Sequence, residues 1–373
     1  LMCSTWPTFI EDILQLAQKS DSTLVAAIQI LGNIDSEITA NAKIMEGEIY
    51  EIKDKLAAVS KNILELLFTI LKNSNNELFV EQTLLAIRSC VQKEMRIQLL
   101  EHLEIIDVLL KAIMVEKYFQ IIIEILINAV INSQAANALY DCSFEEALEE
   151  MPQTTRTSIH KIIEFIAATL AETHLNQSTS QYSLYSAKIT ELIYVIAINF
   201  SIFILENNDY SKVIIKLLLM CASHRNRKIS YLTFDFWVRF RGIIDEHASD
   251  LLANFDCSFI TNAYMDILTI VMENCKRTSL PPASGKTNGL KNTEFDELSQ
   301  TKDENCKMEE EDETQLTFQG YRSEANHVFF SVYKVMQKLR GEEGVKEVLT
   351  KLTILLTQQL TTQIDTPEYV SYV

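Results

Sequence analysis

Apolar side chains recur at steps of three and four residues in this sequence, and residues 228–247 show the pattern most clearly. On an α-helix the large apolar side chains of this stretch would form one stripe, and they are Ile229, Leu232, Phe236, Phe240 and Ile243. Trp237 widens the stripe, and charged residues occupy the opposite side. One helix cannot bury such a stripe by itself, so the sequence predicts that it packs against a neighbour.

The same pattern returns along the chain as pairs of helices. Residues 210–222 carry a similar apolar stripe, and the short polar link SHRNR joins them to the next helix. A link of this length is typical of an antiparallel helix pair. Such pairs recur at roughly 35 to 50 residues, which is longer than the tetratricopeptide repeat, and the sequence also lacks the small-residue signature of that repeat. The pattern therefore predicts an all-α fold, an α-α superhelix of the HEAT or armadillo class built from antiparallel helix pairs.

Composition supports this fold class. The chain has 373 residues, of which 47% are hydrophobic, so it exceeds the usual size of one compact core. With 8 glycines and 5 prolines it has few of the turn residues that strand ends need. The sequence thus predicts helices joined by short polar links, and no strand.

Periodicity and capping residues predict the helix positions. The predicted helices are 6–18, 23–31, 45–72, 77–92, 96–114, 116–131, 155–173, 182–206, 210–222, 228–247, 259–275, 321–339 and 345–360. Gly32 and Asn33 are expected to end the second of these, because both tolerate the left-handed backbone after a helix. In residues 45–72, apolar side chains recur so regularly at steps of three and four that a coiled coil is an alternative. Leu64, Leu67 and Phe68 make the apolar stripe broader than a coiled-coil seam, which favours a globular helix.

Charge and hydropathy indicate which partners are compatible with the chain. The net charge is −18, and direct nucleic-acid binding depends on lysine and arginine, so a basic partner fits better than a nucleic acid. The most membrane-like run, 192–205, is too short to cross a bilayer as a helix and is expected to be a core helix. No secretory signal precedes the first helix, and the chain is expected to begin in the middle of a longer protein.

No catalytic, cofactor or metal motif is present. The seven cysteines stand singly without a CxxC spacing, which favours reduced, mostly buried thiols over the alternatives of a zinc site or a disulfide framework. The six histidines form no HExxH motif. Gly285, Lys286 and Thr287 resemble the end of a phosphate-binding loop, but Leu280 stands where that motif needs glycine. The sequence therefore predicts a binding protein and not an enzyme.

Residues 278–318 interrupt the helical pattern. This segment contains ten acidic residues against four lysines, and its apolar content is low, so a flexible acidic loop is expected between a HEAT-repeat array at 1–277 and its continuation at 319–373. The densest acidic part, here called the acidic run, consists of Glu309, Glu310, Glu311, Asp312 and Glu313. We take it as a candidate partner-binding site, with a solvated loop without a specific partner as the alternative.

Three stretches in the same order resemble the importin-β (karyopherin-β) superfamily of nuclear transport receptors, specifically its transportin-SR branch. The first is 24–71, in which a helix, a short acidic link and a long helix follow one another. The second is 224–244, which includes the FxFW sequence with Phe236, Trp237 and Phe240. The third begins at Tyr321 and Arg322 and resembles the helix that follows an acidic mid-chain loop in that branch.

The resemblance implies a nuclear import receptor fragment that shuttles between cytoplasm and nucleus. It would bind basic protein cargo on the inner surface of a HEAT-repeat arc, with SR-type proteins as one candidate cargo, and Ran-GTP would drive release. Nucleoporins are further implied partners, and membrane insertion is not implied. The repeats with which such receptors grip Ran would lie before Leu1. Phe236, Trp237 and Phe240 are interpreted as the structural core of the signature helix, with direct contact to cargo or nucleoporins as the alternative. A HEAT-repeat scaffold subunit, as in a phosphatase or a vesicle coat, is the alternative function.

Overall fold

The computed structural model describes residues 8–17, 19–40, 61–74, 76–91, 98–133, 151–175, 183–224, 226–254, 256–276 and 300–364. Every regular element within these ranges is a helix, which confirms the predicted all-α fold of HEAT-repeat type. No helix in this part of the chain combines the length and the hydropathy that a membrane span requires.

The helices are numbered here in chain order. The first seven are α1 (Phe9–Ala17), α2 (Asp21–Ala40), α3 (61–73), α4 (Glu77–Cys90), α5 (Leu103–Ala112), α6 (Glu116–Ile131) and α7 (Gln153–Phe165). The next eight are α8 (Ser183–Asn199), α9 (Ser201–Ile204), α10 (Asp209–Ala222), α11 (Arg227–Tyr231), α12 (Phe234–Glu246), α13 (Ala248–Asn254), α14 (Ser258–Lys276) and α15 (Gln300–Ile364). A short 3-10 helix, Leu99–Glu101, precedes α5, and π-helical turns, Ile166–Leu175, follow α7.

The chain divides into two compact units. The first comprises Leu1–Thr173 with Glu191–Ile204, and the second comprises His174–Thr190 with Leu205–Val373. Each unit has a core of its own and is described separately.

In the first unit, helices that are two apart in the chain lie side by side and run in the same direction. Three hydrogen bonds join α4 to α6 in order along both helices: Tyr118 to the Glu77 carbonyl (3.4 Å), Arg88 to Glu124 (3.0 Å) and Asn132 to the Val91 carbonyl (2.6 Å). Helix α7 packs in the same direction beside α5 and the 3-10 helix that precedes it. In α7, Ser158 donates to the Leu100 carbonyl of the 3-10 helix (2.6 Å), and Lys161 binds Asp107 of α5 (2.7 Å). Parallel packing of alternate helices is the arrangement that stacked antiparallel pairs produce.

The second unit repeats this relationship. Asn274, near the end of α14, donates to the carbonyl of Ala222 at the end of α10 (2.8 Å), so these two helices run in parallel. Tyr321 of α15 packs against Phe234 at the start of α12, and Phe330 lies beside Arg241 further along both helices. If the short helices α11 and α13 are set aside, the pairs α10 with α14 and α12 with α15 are again alternate helices packed in parallel.

The predicted helix 228–247 is wrong in one respect, because the structure divides it into α11 and α12. At the break, the backbone N–H groups of Leu232 and Thr233 donate to carbonyls three residues back, and the Thr233 hydroxyl donates to the Ser230 carbonyl (2.8 Å). Hydroxyl side chains compete in this way with regular helical bonding. As a consequence Leu232 is 37% exposed, and the predicted core position of Ile243 is taken by the fully buried Ile244.

The predicted helix end at Gly32 and Asn33 is also wrong, since α2 continues to Ala40. The glycine has a packing role instead of a terminating one. A Cβ atom added at Gly32 would lie 3.5 Å from the backbone of Ala86, so α2 and α4 approach closely at this point. Two small residues facing each other permit this approach, which a larger pair would prevent.

The predicted acidic loop at 278–318 differs from the structure in its last part. From Gln300 onward the backbone is helical and continues into α15, while residues 278–299 lie outside the described ranges. Residues 300–319 contain no glycine or proline, and they include five glutamates and three glutamines, which have high helix propensity. The predicted positions 45–60, and most of the irregular stretch 132–153, also lie outside the described ranges.

The last two predicted helices correspond to the two parts of α15, which is interrupted at Gly341. This glycine has φ +61° and ψ −141°, a conformation that other residues rarely adopt. Beyond it the chain folds back, because a Cβ added at Gly344 would overlap the carbonyl oxygen of Met336. The ion pair between Arg340 and Glu347 (2.5 Å) spans the turn.

Candidate interaction surface

In the first unit, the candidate binding features are a charged face and a neighbouring groove. On the charged face, Lys117 of α6 lies between two carboxylates of α4, at 2.8 Å from Glu81 and 3.7 Å from Glu77. The hydrogen bond that Lys117 donates to the Glu81 carboxylate raises the pKa of Lys117. Further along, Glu124 accepts from both Arg88 (3.0 Å) and Gln120 (3.2 Å). These bonds hold the side chains of neighbouring repeats in register at the surface.

The groove lies between α2 and α4, above the close approach at Gly32. Its volume is about 240 Å³, and its lining is mainly polar: Ile28, Gln29, Gly32, Asn33, Gln82, Leu85, Arg88 and Ser89. Amide side chains both donate and accept hydrogen bonds, so this lining suits the backbone or a polar side chain of a protein partner. It carries no group of acids, bases or nucleophiles that would suit catalysis.

The centre of the second unit is a cluster of aromatic rings. Trp237 contacts Phe236 edge to face at 5.2 Å between ring centroids, and Phe236 stacks on Phe240 at 5.0 Å. Tyr264 of α14 contacts both Trp237 and Phe240. Burial raises the pKa of the Tyr264 hydroxyl well above its usual range, so this group stays a neutral hydrogen-bond donor.

Beside the rings lies a buried polar network that the sequence did not reveal. Ser230 donates to the carbonyl of Ala222 (2.5 Å), and the same carbonyl accepts from Asn274 (2.8 Å). Asn274 also lies 3.3 Å from the Ser230 hydroxyl, which in turn lies 3.3 Å from the hydroxyl of Tyr321. The Ala222 carbonyl at the end of α10 thereby links side chains of α11 and α14 directly, and it links to Tyr321 of α15 through Ser230. The one sequence signal that could have indicated this network is the presence of hydroxyl and amide side chains on otherwise apolar helix faces.

The structure places the candidate residues of the sequence in two different settings. Phe236, Trp237 and Phe240 are buried in the aromatic cluster, with exposures of 0%, 0% and 1%. No ligand could reach these rings without opening the core. The backbone of the acidic run (309–313) lies in the first part of α15. The aromatic cluster and the acidic run are therefore separate features, and no single site contains both.

Burial raises the thiol pKa of Cys221 and of Cys257. Cys90, Cys221, Cys257 and Cys275 form no disulfide among the described residues, and burial raises the pKa of Cys221 to about 12. A thiol with so high a pKa is a poor nucleophile. Within the described ranges, no three His, Cys, Asp or Glu side chains come together as a metal site would require.

Two family models match the sequence. Residues 1–126 match the model described as "Exportin 1-like protein", and residues 184–270 match the model described as "Transportin-3/Importin-13 second TPR domain". TPR and HEAT repeats are both stacked antiparallel helix pairs. The second match covers α8 to most of α14, and it therefore includes the aromatic cluster.

Comparison with individual proteins adds little. No curated protein matches the chain at a significant level. Solved structures do match, and one of them is titled "Computational Design of Self-Assembling Cyclic Protein Homooligomers". Its identity is 12% over 92% of this chain and 99% of that chain, and its TM-score of 0.22 is too low to compare the two folds.

Proposed function

Because the chain belongs to the importin-β superfamily, in its transportin-like branch, we propose that it carries basic protein cargo between cytoplasm and nucleus and releases it under the control of Ran-GTP. The chain is a HEAT-repeat protein of the nuclear transport receptor type, and proteins of these families are not enzymes. The observation that carries the proposal is the presence of two transport-receptor matches in one chain, each over residues that the structure describes as packed helices.

The charge of the chain supports basic cargo. The sequence contains 51 acidic residues against 33 basic ones. On the face formed by α4 and α6, the side chain of Glu77 is 82% exposed and that of Glu81 is 42% exposed. Excess negative charge on an extended surface raises the rate of encounter with a positively charged partner. SR-type proteins, which are rich in arginine, would fit such a surface, and nucleoporins are proposed as transient partners during passage.

The acidic run is proposed to assist cargo association or its Ran-dependent release. The run, Glu309 to Glu313, places five carboxylates in succession in the first part of α15. Dense charge of this kind acts over several ångströms and does not need a fixed contact. The competing interpretation is that these carboxylates only keep the segment solvated.

Binding to Ran tests the proposal. The full-length protein is immobilised and offered Ran loaded either with a non-hydrolysable GTP analogue or with GDP. We expect retention of the GTP form alone, and release of a pre-bound basic cargo when that form is added. A HEAT-repeat scaffold subunit would not distinguish the GTP form of Ran from the GDP form. It would also keep its partner when Ran is added. If both forms of Ran fail to bind, the scaffold function replaces the transport function.

A further inference from the structure

The second unit exposes a basic aromatic patch, defined here as Arg241 of α12 with Phe330 and Lys334 of α15. Phe330 is 52% exposed, so half of a large apolar side chain is open to solvent. The guanidinium carbon of Arg241 and the ammonium nitrogen of Lys334 each lie 5.5 Å from the centroid of the Phe330 ring. Lys334 also lies 5.9 Å from the ring of Tyr333. Two helices therefore hold one exposed ring between two cations.

The cations of this patch are only weakly neutralised. Some basic side chains of the protein have a close carboxylate, as Lys117 has at 2.8 Å and Lys161 at 2.7 Å. Arg241 has Asp245 at 3.9 Å, the limit of an ion pair. Among the residues that the structure describes, no carboxylate lies within 4.0 Å of Lys334. Lys334 thus has the aromatic ring as its neighbour, and Arg241 lies between that ring and Asp245.

We propose that the basic aromatic patch is a docking site for an acidic peptide segment of a partner protein. Carboxylates of the segment would pair with Arg241 and Lys334, since guanidinium and ammonium groups bind carboxylates well. An apolar side chain of the segment would cover the exposed face of Phe330 and remove apolar surface from water. The positive charge of the patch favours an acidic occupant by charge complementarity. In this respect the patch differs from the chain as a whole, whose net charge of −18 favours basic partners.

The acidic run of the chain itself is not the occupant. It lies in α15, the same element as Phe330, and the helix is uninterrupted between them. At 1.5 Å per residue, the nineteen residues from Glu311 to Phe330 place the two about 28 Å apart along the helix axis. The acidic run therefore does not reach the patch of its own molecule.

The overall negative charge opposes the approach of an acidic peptide, but it does not prevent binding at contact. Long-range repulsion between exposed charges is screened beyond a Debye length of about 8 Å at 0.15 M salt. Carboxylates in contact with Arg241 and Lys334 are screened much less. Binding is therefore best measured near this ionic strength.

Fluorescence anisotropy tests the proposal with the full chain. The probe is a short fluorescein-labelled peptide that alternates Glu-Glu with Leu, and the control probe has lysine in place of glutamate. The variants are Lys334→Gln and Phe330→Ala, and the matched control variant is Lys346→Gln, a change at an exposed lysine beyond the Gly341 turn. Thermal melts verify that each variant is folded.

We expect saturable binding of the glutamate peptide and weaker binding by each of the two patch variants. The loss should be about threefold to fivefold, the effect of removing one partly exposed cation–π or ion-pair contact. The Lys346→Gln control should bind as the unaltered chain does. The proposal is overturned if patch and control variants bind alike, if the lysine peptide binds as tightly, or if single-stranded RNA binds while the glutamate peptide does not. Neither Ran nor basic cargo enters this experiment, so its failure leaves the transport function untouched.

Discussion

The hydroxyl of Tyr264 donates a hydrogen bond of 2.9 Å to the backbone carbonyl of Trp237, and the two rings meet edge to face at 5.3 Å. Both side chains are fully buried, although the two residues belong to helices α14 and α12. Each contact supports the other, since the hydrogen bond fixes the angle at which the rings pack. The contact ties the helix that carries the FxFW sequence to the next helix pair.

Replacing Trp237 with alanine should destabilise the second unit strongly. Truncation of a buried aromatic side chain typically costs about 3–5 kcal/mol through lost burial and a residual cavity. Trp237→Phe should cost less, because the indole Nε1 has no hydrogen-bond partner among the described residues. Leu252→Ala, at a 54% exposed position, is the control and should change the stability little. Chemical denaturation measures all three, and equal losses for alanine and phenylalanine would contradict the packing explanation.

Gly32 should tolerate alanine but not leucine. A Cβ at this position would lie at ordinary van der Waals distance from Ala86, and alanine has a higher helix propensity than glycine by about 1 kcal/mol. We therefore expect Gly32→Ala to raise the midpoint of thermal unfolding. Gly32→Leu should lower it, because the longer side chain would force α2 and α4 apart. A lower midpoint for the alanine variant would show that the space between α2 and α4 at Gly32 is too small for a Cβ atom, contrary to the 3.5 Å distance to Ala86.

Acidification should destabilise the first unit well before its carboxylates titrate. Burial, with a smaller contribution from Arg156, lowers the pKa of His160 from 6.5 to about 4. Between these values the unfolded chain binds a proton that the folded chain does not, so stability falls as the pH decreases through this window. Burial also lowers the pKa of His102, which acts in the same direction. Denaturation midpoints from pH 7 to pH 5 measure the slope, and His160→Gln should reduce it. An unchanged slope in this variant would assign the effect to other groups.

Neutralising the acidic run should slow cargo binding if the run has the proposed role. The variant replaces Glu309, Glu310, Glu311 and Glu313 with glutamine and Asp312 with asparagine in the full-length protein. Association with a basic cargo, followed by stopped flow, should be slower at low salt, and the difference should shrink once the Debye length falls below about 10 Å. The control neutralises Glu342 and Glu343, two exposed residues elsewhere on α15. Equal rates at low salt would leave the run with a solvating role only.

The presence and pairing of the helices could be predicted from the sequence because that information is local. An apolar stripe depends on residues three and four positions apart, and polar links between stripes mark the turns. The helix Glu116–Ile131 was predicted with both of its ends, since its stripe begins and stops sharply. The resemblance to a family likewise rested on the order of three short stretches, and the two family-model matches cover the first two of them.

Only the tertiary structure decided which side chains meet across helices. Asn274 and Ala222 are 52 residues apart, and Ser230 and Tyr321 are 91 residues apart, so no local pattern could connect them. The role of Gly32 depends on Ala86 in another helix, and a glycine signals a helix end just as readily as a close approach. The sequence by itself thus determined a stack of helix pairs, because periodic burial is a property of neighbouring residues. The stacking of alternate helices determined the buried polar network, the close approach at Gly32 and the cations around Phe330, because these depend on distances that only the folded chain defines.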